Sequence, residues 1–355
     1  MVEKMEWWQR TTVYQIYPRS FKDANGDGVG DLRGVIEKLD YLAQLGIETI
    51  WFSPFYPSPQ QDHGYDISNF VDVDPEYGTL ADFEELVAGA HDRGLKIVLD
   101  MVINHTSDKH PWFLESRTSR ENPKRNWYIW RDGRGKDGKK PPNNWGAMTG
   151  GCPWIYDKPT GQWYYYHFLP FQPDLNMRNP EVKQAMFDAC RFWLDRGVDG
   201  FRLDIFHATF VDAEFRDNPR SWTLLPGEGH NRGLFQDHVY DLNRPENYEF
   251  ARDLRKLMDE YSPPRFLVGE VFGTPKQVRD FCGPNHDGLN MVFLFRFASM
   301  RLEPMKIHAL VSEFEDTYPP PYVPTYVYSN HDRMRMISRV GDDPAKAKIM
   351  AMLQL

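Results

Sequence analysis

At 355 residues, 41% hydrophobic and with a net charge of −9, the chain has material for a large folded core, and its acidic balance disfavours a nucleic-acid partner, whose phosphates bind clustered Lys and Arg. Three cysteines, Cys152, Cys190 and Cys282, are odd in number and widely spaced, which argues against a disulfide framework or a Cys-x-x-Cys metal site. No run of about eighteen uncharged apolar residues suggests a membrane span, and the N-terminus has no leader-like stretch, so a reducing, cytoplasmic location with no membrane partner is expected.

Apolar, β-branched runs alternate with stretches of helical period, the pattern of a parallel sheet with crossover helices. Strands are predicted near residues 12–17, 48–52, 96–102, 200–203, 266–271, 290–295 and 325–328. Leu32, Val35, Ile36, Leu39, Leu42 and Leu45 form one helical stripe ending at Gly46, a residue able to take the left-handed stop conformation. Thr79 caps a helix reaching Arg93, Asn179-Pro180 opens another that stops before Gly197, and Leu254 and Leu257 lie on a further helix ended by Pro263-Pro264. Residues 105–175 are rich in Trp, Asn, Gly and Pro without sustained period, and are too long for an ordinary connection. They predict a lobe inserted after the third strand. A second irregular stretch, 206–244, follows the fourth strand, and 345–355 reads as the seventh helix. The expected architecture is α/β: a (β/α)8 TIM barrel cut before its eighth strand, with 1–104 as its first part, 105–175 as the inserted lobe, 176–355 as its second part and no C-terminal β-domain.

Three acidic signatures then stand out. Gly200-Phe201-Arg202-Leu203-Asp204, Leu267-Val268-Gly269-Glu270 and Tyr328-Ser329-Asn330-His331-Asp332 each place a carboxylate where an apolar or aromatic run ends. If the runs are parallel barrel strands, the carboxylates meet at the C-terminal rim, where barrel enzymes build their sites. Carboxylates gathered in one cleft suit glycoside chemistry. A fourth strand ends in Asn104-His105, polar groups able to hold a hydroxylated ligand. Separately, residues 23–31 carry oxygen ligands at alternate positions with a glycine at the sixth, like the first nine places of an EF-hand loop, but Gly34 stands where that loop needs a glutamate.

Together these motifs resemble the α-amylase superfamily of glycoside hydrolases, family thirteen, over essentially the whole chain. Asp100 to His105, Gly200 to Asp204, Gly269-Glu270 and Asn330-His331-Asp332 are similar to its four signatures in order. The resemblance implies Asp204 as nucleophile, Glu270 as general acid/base and Asp332 as transition-state stabiliser. It implies that Tyr65, Asp66, His105, Arg202, His331 and Arg335 bind substrate, Asp66 and Arg335 gripping the non-reducing end in the exo-acting α-glucosidase branch. Gln172-Pro173-Asp174-Leu175-Asn176 resembles the fifth signature of the oligo-1,6-glucosidase subgroup, whose similar loops hold one structural Ca²⁺ or Mg²⁺; here the ligands would be Asp23, Asn25, Asp27, the Val29 carbonyl and Asp31. Ile205, after the nucleophile, resembles the β-branched residue of enzymes that accept α-1,6 links. The implied activity is that of a retaining exo-α-glucosidase on short oligosaccharides, with no organic cofactor. The alternative is a glucosyl isomerase or transglycosylase, of trehalose synthase or sucrose isomerase type. Weak activity is expected of a barrel without its eighth strand.

Overall fold

The computed structural model describes residues 5–222, 232–233 and 235–354. Within the irregular stretch 206–244, residues 223–231 and 234 lie outside the described residues. Among the described residues the strands are β1 (Val13–Ile16), β2 (Thr49–Phe52), β3 (Lys96–Met101), β4 (Trp130–Arg131), β5 (Trp154–Asp157), β6 (Gln162–Tyr165), β7 (Gly200–Leu203), β8 (Arg232–Gly233), β9 (Gln236–Asp237), β10 (Phe266–Gly269) and β11 (Met291–Val292).

Six of them form one parallel sheet in the order β1-β2-β3-β7-β10-β11, an arc of TIM-barrel type with crossover helices between strands. Strands β2, β7 and β10 are buried along their whole length, so they read as continuous apolar runs, as parallel strands covered on both faces do. The crossover helices begin where side chains satisfy their free N–H groups. Thr79 Oγ1 accepts from Asp82 N while Thr79 N donates to Asp82 Oδ2 at 2.8 Å, closing a capping box on Leu80–His91. Asn179 accepts from Glu181 N at 3.0 Å ahead of Pro180–Leu194.

Because side chains alternate across a strand, each strand has one face toward the helices and one toward the barrel axis. Ile50, Phe52, Ile97, Leu99, Phe201, Leu203 and Leu267 join the large core against the helices. Trp51, Val98, Phe266 and Val268 point the other way and pack with Trp8 into a separate inner cluster. Gly200 lies on this inner face because there is no room for more: a Cβ there would sit 2.3 Å from the Phe266 carbonyl oxygen. The same period of two puts Asp100 above Val98, Arg202 above Gly200 and Glu270 above Val268.

Residues 105–175 contain the antiparallel sheet β4-β6-β5, its Phe113, Trp130 and Tyr164 rings in mutual contact and the Arg125 guanidinium 3.5 Å above Trp130. Single bridges from His105 to Asp174 and from Tyr128 to Leu175 tie the two ends of this segment together.

Two expectations need correction. The stripe from Leu32 to Leu45 forms two helices, Leu32–Glu37 and Leu39–Gln44, because the backbone at Lys38 leaves helical geometry (φ −104°, ψ 5°); Leu32, Val35, Leu39 and Leu42 pack inward, while Leu45 is exposed. The predicted strand 325–328 forms no ladder among the described residues. Instead the Thr325 hydroxyl donates to the Val292 carbonyl at 2.8 Å and accepts from Leu294 N at 3.0 Å, taking over backbone partners a strand would use. The last helix runs Pro344–Gln354.

Candidate active site

One buried arginine organises the rim. Arg202 is 1% exposed, and its register partner across the sheet is Asp100 on β3. Its Nη1 donates to Asp100 Oδ1 and Oδ2 at 2.8 and 3.0 Å and to Asp204 Oδ1 at 2.6 Å, while Nη2 donates to Glu270 Oε2. Three carboxyls thus share a single positive charge. The excess negative charge is relieved by holding on to protons: burial, against the pull of Arg202, raises Asp100 and Asp204 to about 6. Glu270 is raised further, to about 7, by burial and then by the neighbouring Asp204 and Asp332 charges, with Arg202 again opposing. Arg202 thus holds the Asp204 and Glu270 carboxyls on its two terminal nitrogens.

A second chain of bonds reaches the same cluster. Gln15 Nε2 donates to His331 Nδ1 at 2.7 Å, which assigns the ring proton to Nε2, 2.8 Å from the Tyr65 hydroxyl; Tyr65 in turn donates to Asp100 Oδ2 at 3.0 Å. Tyr65 and His331 stack with an interplanar angle of 7°. Burial keeps His331 neutral, pushed down to about 4, and Nε2 also lies 3.3 Å from Asp332 Oδ1.

Above these groups opens a cavity of about 1080 Å³, lined by Asp204, Glu270, Asp332, His331, His105, Tyr65 and Arg335 and by residues from the inserted segment such as Phe168. His105 is 1% exposed, its Nδ1 faces Asn104 Nδ2 at 3.3 Å, and its Nε2 has no protein partner. Burial keeps the ring neutral, with its pKa down at about 3. A neutral ring with one free nitrogen is suited to bonding a bound hydroxyl.

Two expected substrate-binding residues are placed elsewhere. Arg202 lies beneath the carboxyls and does not line the cavity. Asp66 is fully buried, its oxygens accepting from Ser58 Oγ at 2.9 Å and from the backbone N–H groups of Asp62 and Gln61 at 3.0 and 3.1 Å. It braces its own loop and, among the described residues, forms no ion pair with Arg335, which is exposed on the cavity rim. The acid of this loop that faces the cavity is Asp62. Gln172 Nε2 donates to its Oδ2 at 2.7 Å, and burial raises its pKa to about 6. The sequence points to Asp66 and misses Asp62; the partner that marks Asp62 is Gln172, conspicuous in its own motif.

The 23–31 loop is wrapped on itself. Asp23 accepts from Gly26 N and Gly28 N at 2.6 and 2.8 Å, Asn25 from Asp27 N at 2.9 Å, Asp27 from Val29 N at 2.8 Å, and Asp31 from Ala24 N and Gly34 N at 3.1 and 2.6 Å. Among the described residues no three His, Cys, Asp or Glu side chains converge on a common ion position. The donor set nevertheless fits a hard cation, since each oxygen that accepts one N–H retains a second lone pair. Gly34 departs from the EF-hand pattern for a packing reason: a Cβ there would lie 2.0 Å from the Lys22 carbonyl oxygen.

The strand ends of a barrel-type sheet thus deliver acids beside one buried arginine, at the rim where barrel enzymes build their sites. The alpha-amylase catalytic domain matches residues 15–355, and the chain belongs to that family. It is 46% identical to a probable alpha-glucosidase of Rhizobium meliloti (strain 1021), over 98% of this chain and 64% of the relative. It is 41% identical to an oligo-1,6-glucosidase of Heyndrickxia coagulans, over 95% of this chain and 61% of that one. The crystal structure of the alpha-glucosyl transfer enzyme XgtA superposes with a TM-score of 0.92 at 44% identity, covering 99% of this chain and 66% of XgtA. The chain therefore spans just under two thirds of the relatives it matches. No described helix is long and apolar enough to cross a membrane.

Proposed function

We propose that the protein is a retaining α-glucosidase acting on terminal α-1,4 or α-1,6 glucosyl links of short oligosaccharides, with glucosyl transfer to a sugar as the second reading. The observation that carries it is one guanidinium bonded to both Asp204 and Glu270 at the floor of the cavity. Two carboxyls drawn to neighbouring nitrogens of one guanidinium suit the short separation of a retaining pair rather than the roughly 6.5–9.5 Å across which an inverting pair holds a water. Asp204, kept as its anion by Arg202, attacks the anomeric carbon. Glu270, still protonated near neutral pH, gives its proton to the leaving oxygen, and the C–O bond breaks. In the second half Glu270, now a carboxylate, takes a proton from water, whose oxygen displaces Asp204 with net retention. Asp332 lines the same cavity, and its charge stabilises the oxocarbenium-like transition state. His105, His331 and Asp62 bond the glucose hydroxyls, Asp62 in the part expected of Asp66.

The transfer reading is supported by the likeness to XgtA: a sugar hydroxyl can take the place of water in the second step. The proposal includes a structural Ca²⁺ or Mg²⁺ held by Asp23, Asn25, Asp27, the Val29 carbonyl and Asp31, serving to rigidify the loop, and a cytoplasmic location suited to three free cysteines. The test is product analysis by NMR with maltose and isomaltose on the full-length protein. Release of α-glucose as the first-formed anomer is expected. β-Glucose sinks the retaining assignment, and a disaccharide as main product transfers the case to the second reading. Glu270→Gln is expected to lose activity on both disaccharides by 10²–10⁴-fold while sparing the first step with activated aryl glucosides.

A further inference from the structure

The chain turns sharply after Asp204, at a residue that resists the turn. Ile205 has φ 32° and ψ 41°, in the left-handed region. Other non-glycine residues with positive φ include Gln60, His63, Phe215, Asn243 and Asp342, but Ile205 is β-branched, the class of side chain for which this conformation is a true outlier. It is also 6% exposed, so it is not a surface turn that solvent leaves unconstrained. A conformation of this kind persists only where the surroundings impose it, and such positions cluster at functional sites.

What the turn achieves is specific. Ile205 N donates to Glu270 Oε2 at 3.3 Å and Phe206 N donates to the Glu270 carbonyl oxygen at 3.0 Å, while Asp204 N still bonds to Met101 O at 3.2 Å on the other side. In a strand that ran straight on, successive N–H groups would point to opposite edges, and those of 205 and 206 could not both address Glu270. The kink therefore aims two consecutive donors at one residue, one at its side chain and one at its backbone.

We propose that Ile205 is a positioning residue whose backbone N–H, aimed by this disfavoured turn, is the second donor to the Glu270 carboxyl and sets how readily that group releases and regains its proton. This rests on the reading of Glu270 as acid/base. The other groups facing Glu270 are Arg202, which donates to the same oxygen, Asp204 beside it, Asp332 in the same cavity, Asp100 and Tyr65 behind the guanidinium, and the His207 ring against the Glu270 backbone carbonyl. Of the largest influences on this group, Arg202 and the Ile205 N–H favour the carboxylate, while burial, Asp204 and Asp332 favour the protonated acid. Removing the N–H leaves Arg202 as the remaining donor to Glu270 Oε2 among the described residues.

The test replaces the Ile205 amide by an ester in the full-length protein, deleting the N–H and keeping the side chain. Glu270 is followed by its carboxyl infrared band across pH, assigned by its loss in Glu270→Gln. The ester is expected to move the Glu270 titration to higher pH by roughly half a pH unit, about a threefold change in proton affinity. Ile205→Asn, which accepts the left-handed turn and keeps the N–H, is expected to leave the titration where it was. An unmoved titration in the ester, or an equal shift in Ile205→Asn, overturns the proposal. Because the band is read without turnover, an unsubstituted protein lacking glucosidase activity sinks the acid/base reading, whereas a shifted titration in the ester still upholds the donor.

Discussion

Replacing Arg202 by Met tests the electrostatic centre of the site. Methionine keeps an apolar stem of similar length beside the Trp51 and Tyr65 rings, which lie 5.2 and 5.8 Å from the guanidinium, but it removes the single cation serving Asp100, Asp204 and Glu270. With Arg202 1% exposed, water cannot take over, and loss of one partner from a buried ion cluster costs about 3–5 kcal/mol. The pH dependence identifies the cause. The three carboxyls already sit above their unfolded values of roughly 4, and removing the cation raises them further. An acid whose folded pKa is raised destabilises the fold above its unfolded pKa, and the penalty is relieved as pH falls and the folded carboxyl takes up its proton. The melting-temperature gap between the natural protein and Arg202→Met is therefore expected to be widest near pH 8 and to close toward about pH 5. A gap that stays constant across that range would refute the reasoning and make Arg202 a packing residue.

Other outcomes follow from the same geometry. The kcat/KM profile should rise through about pH 6 as Asp204 ionises and fall through about pH 7 as Glu270 loses its proton; activity undiminished well above neutrality would contradict that division of labour. Asp62→Asn should raise KM for maltose about tenfold or more, the worth of a hydrogen bond to a charged group, with melting unchanged. Asp66→Asn should do the reverse, lowering stability by about 1–3 kcal/mol through its three donors with little effect on KM. Calcium at a hundredfold excess over its dissociation constant should add about 2.7 kcal/mol of stability, lost in EDTA and in Asp27→Asn. Identical melting curves with and without the ion would remove the metal from the loop.

Much of the rim was legible because a strand's period of two is a rigid rule. Once 200–203 and 266–269 are strands, Arg202 must share a face with Asp204, and Glu270 must follow Val268 on the same side. Irregular segments obey no such rule. Asp62 and Asp66 lie four apart in a loop, and which one turns inward depends on Ser58 and two backbone N–H groups that no pattern announces. Thr325 to Tyr328 has the composition of a strand, but composition does not reveal that a threonine hydroxyl will occupy the neighbouring strand's partners. Ile205 was conspicuous as a β-branched neighbour of the nucleophile, while its backbone angles were invisible until the chain was folded.

The inner aromatic cluster bears on traffic. Trp8 stacks on Phe266 with ring centroids 6.1 Å apart, and Trp7 leans on the same ring at 5.3 Å, at the end of the strands away from the carboxyls. These rings pack the inner face of the sheet at the end opposite the acids. Under the proposed glucosidase reading, product leaves and acceptor enters through the acid-lined mouth, so the order of departure and arrival there decides whether the glucosyl group meets water or another sugar.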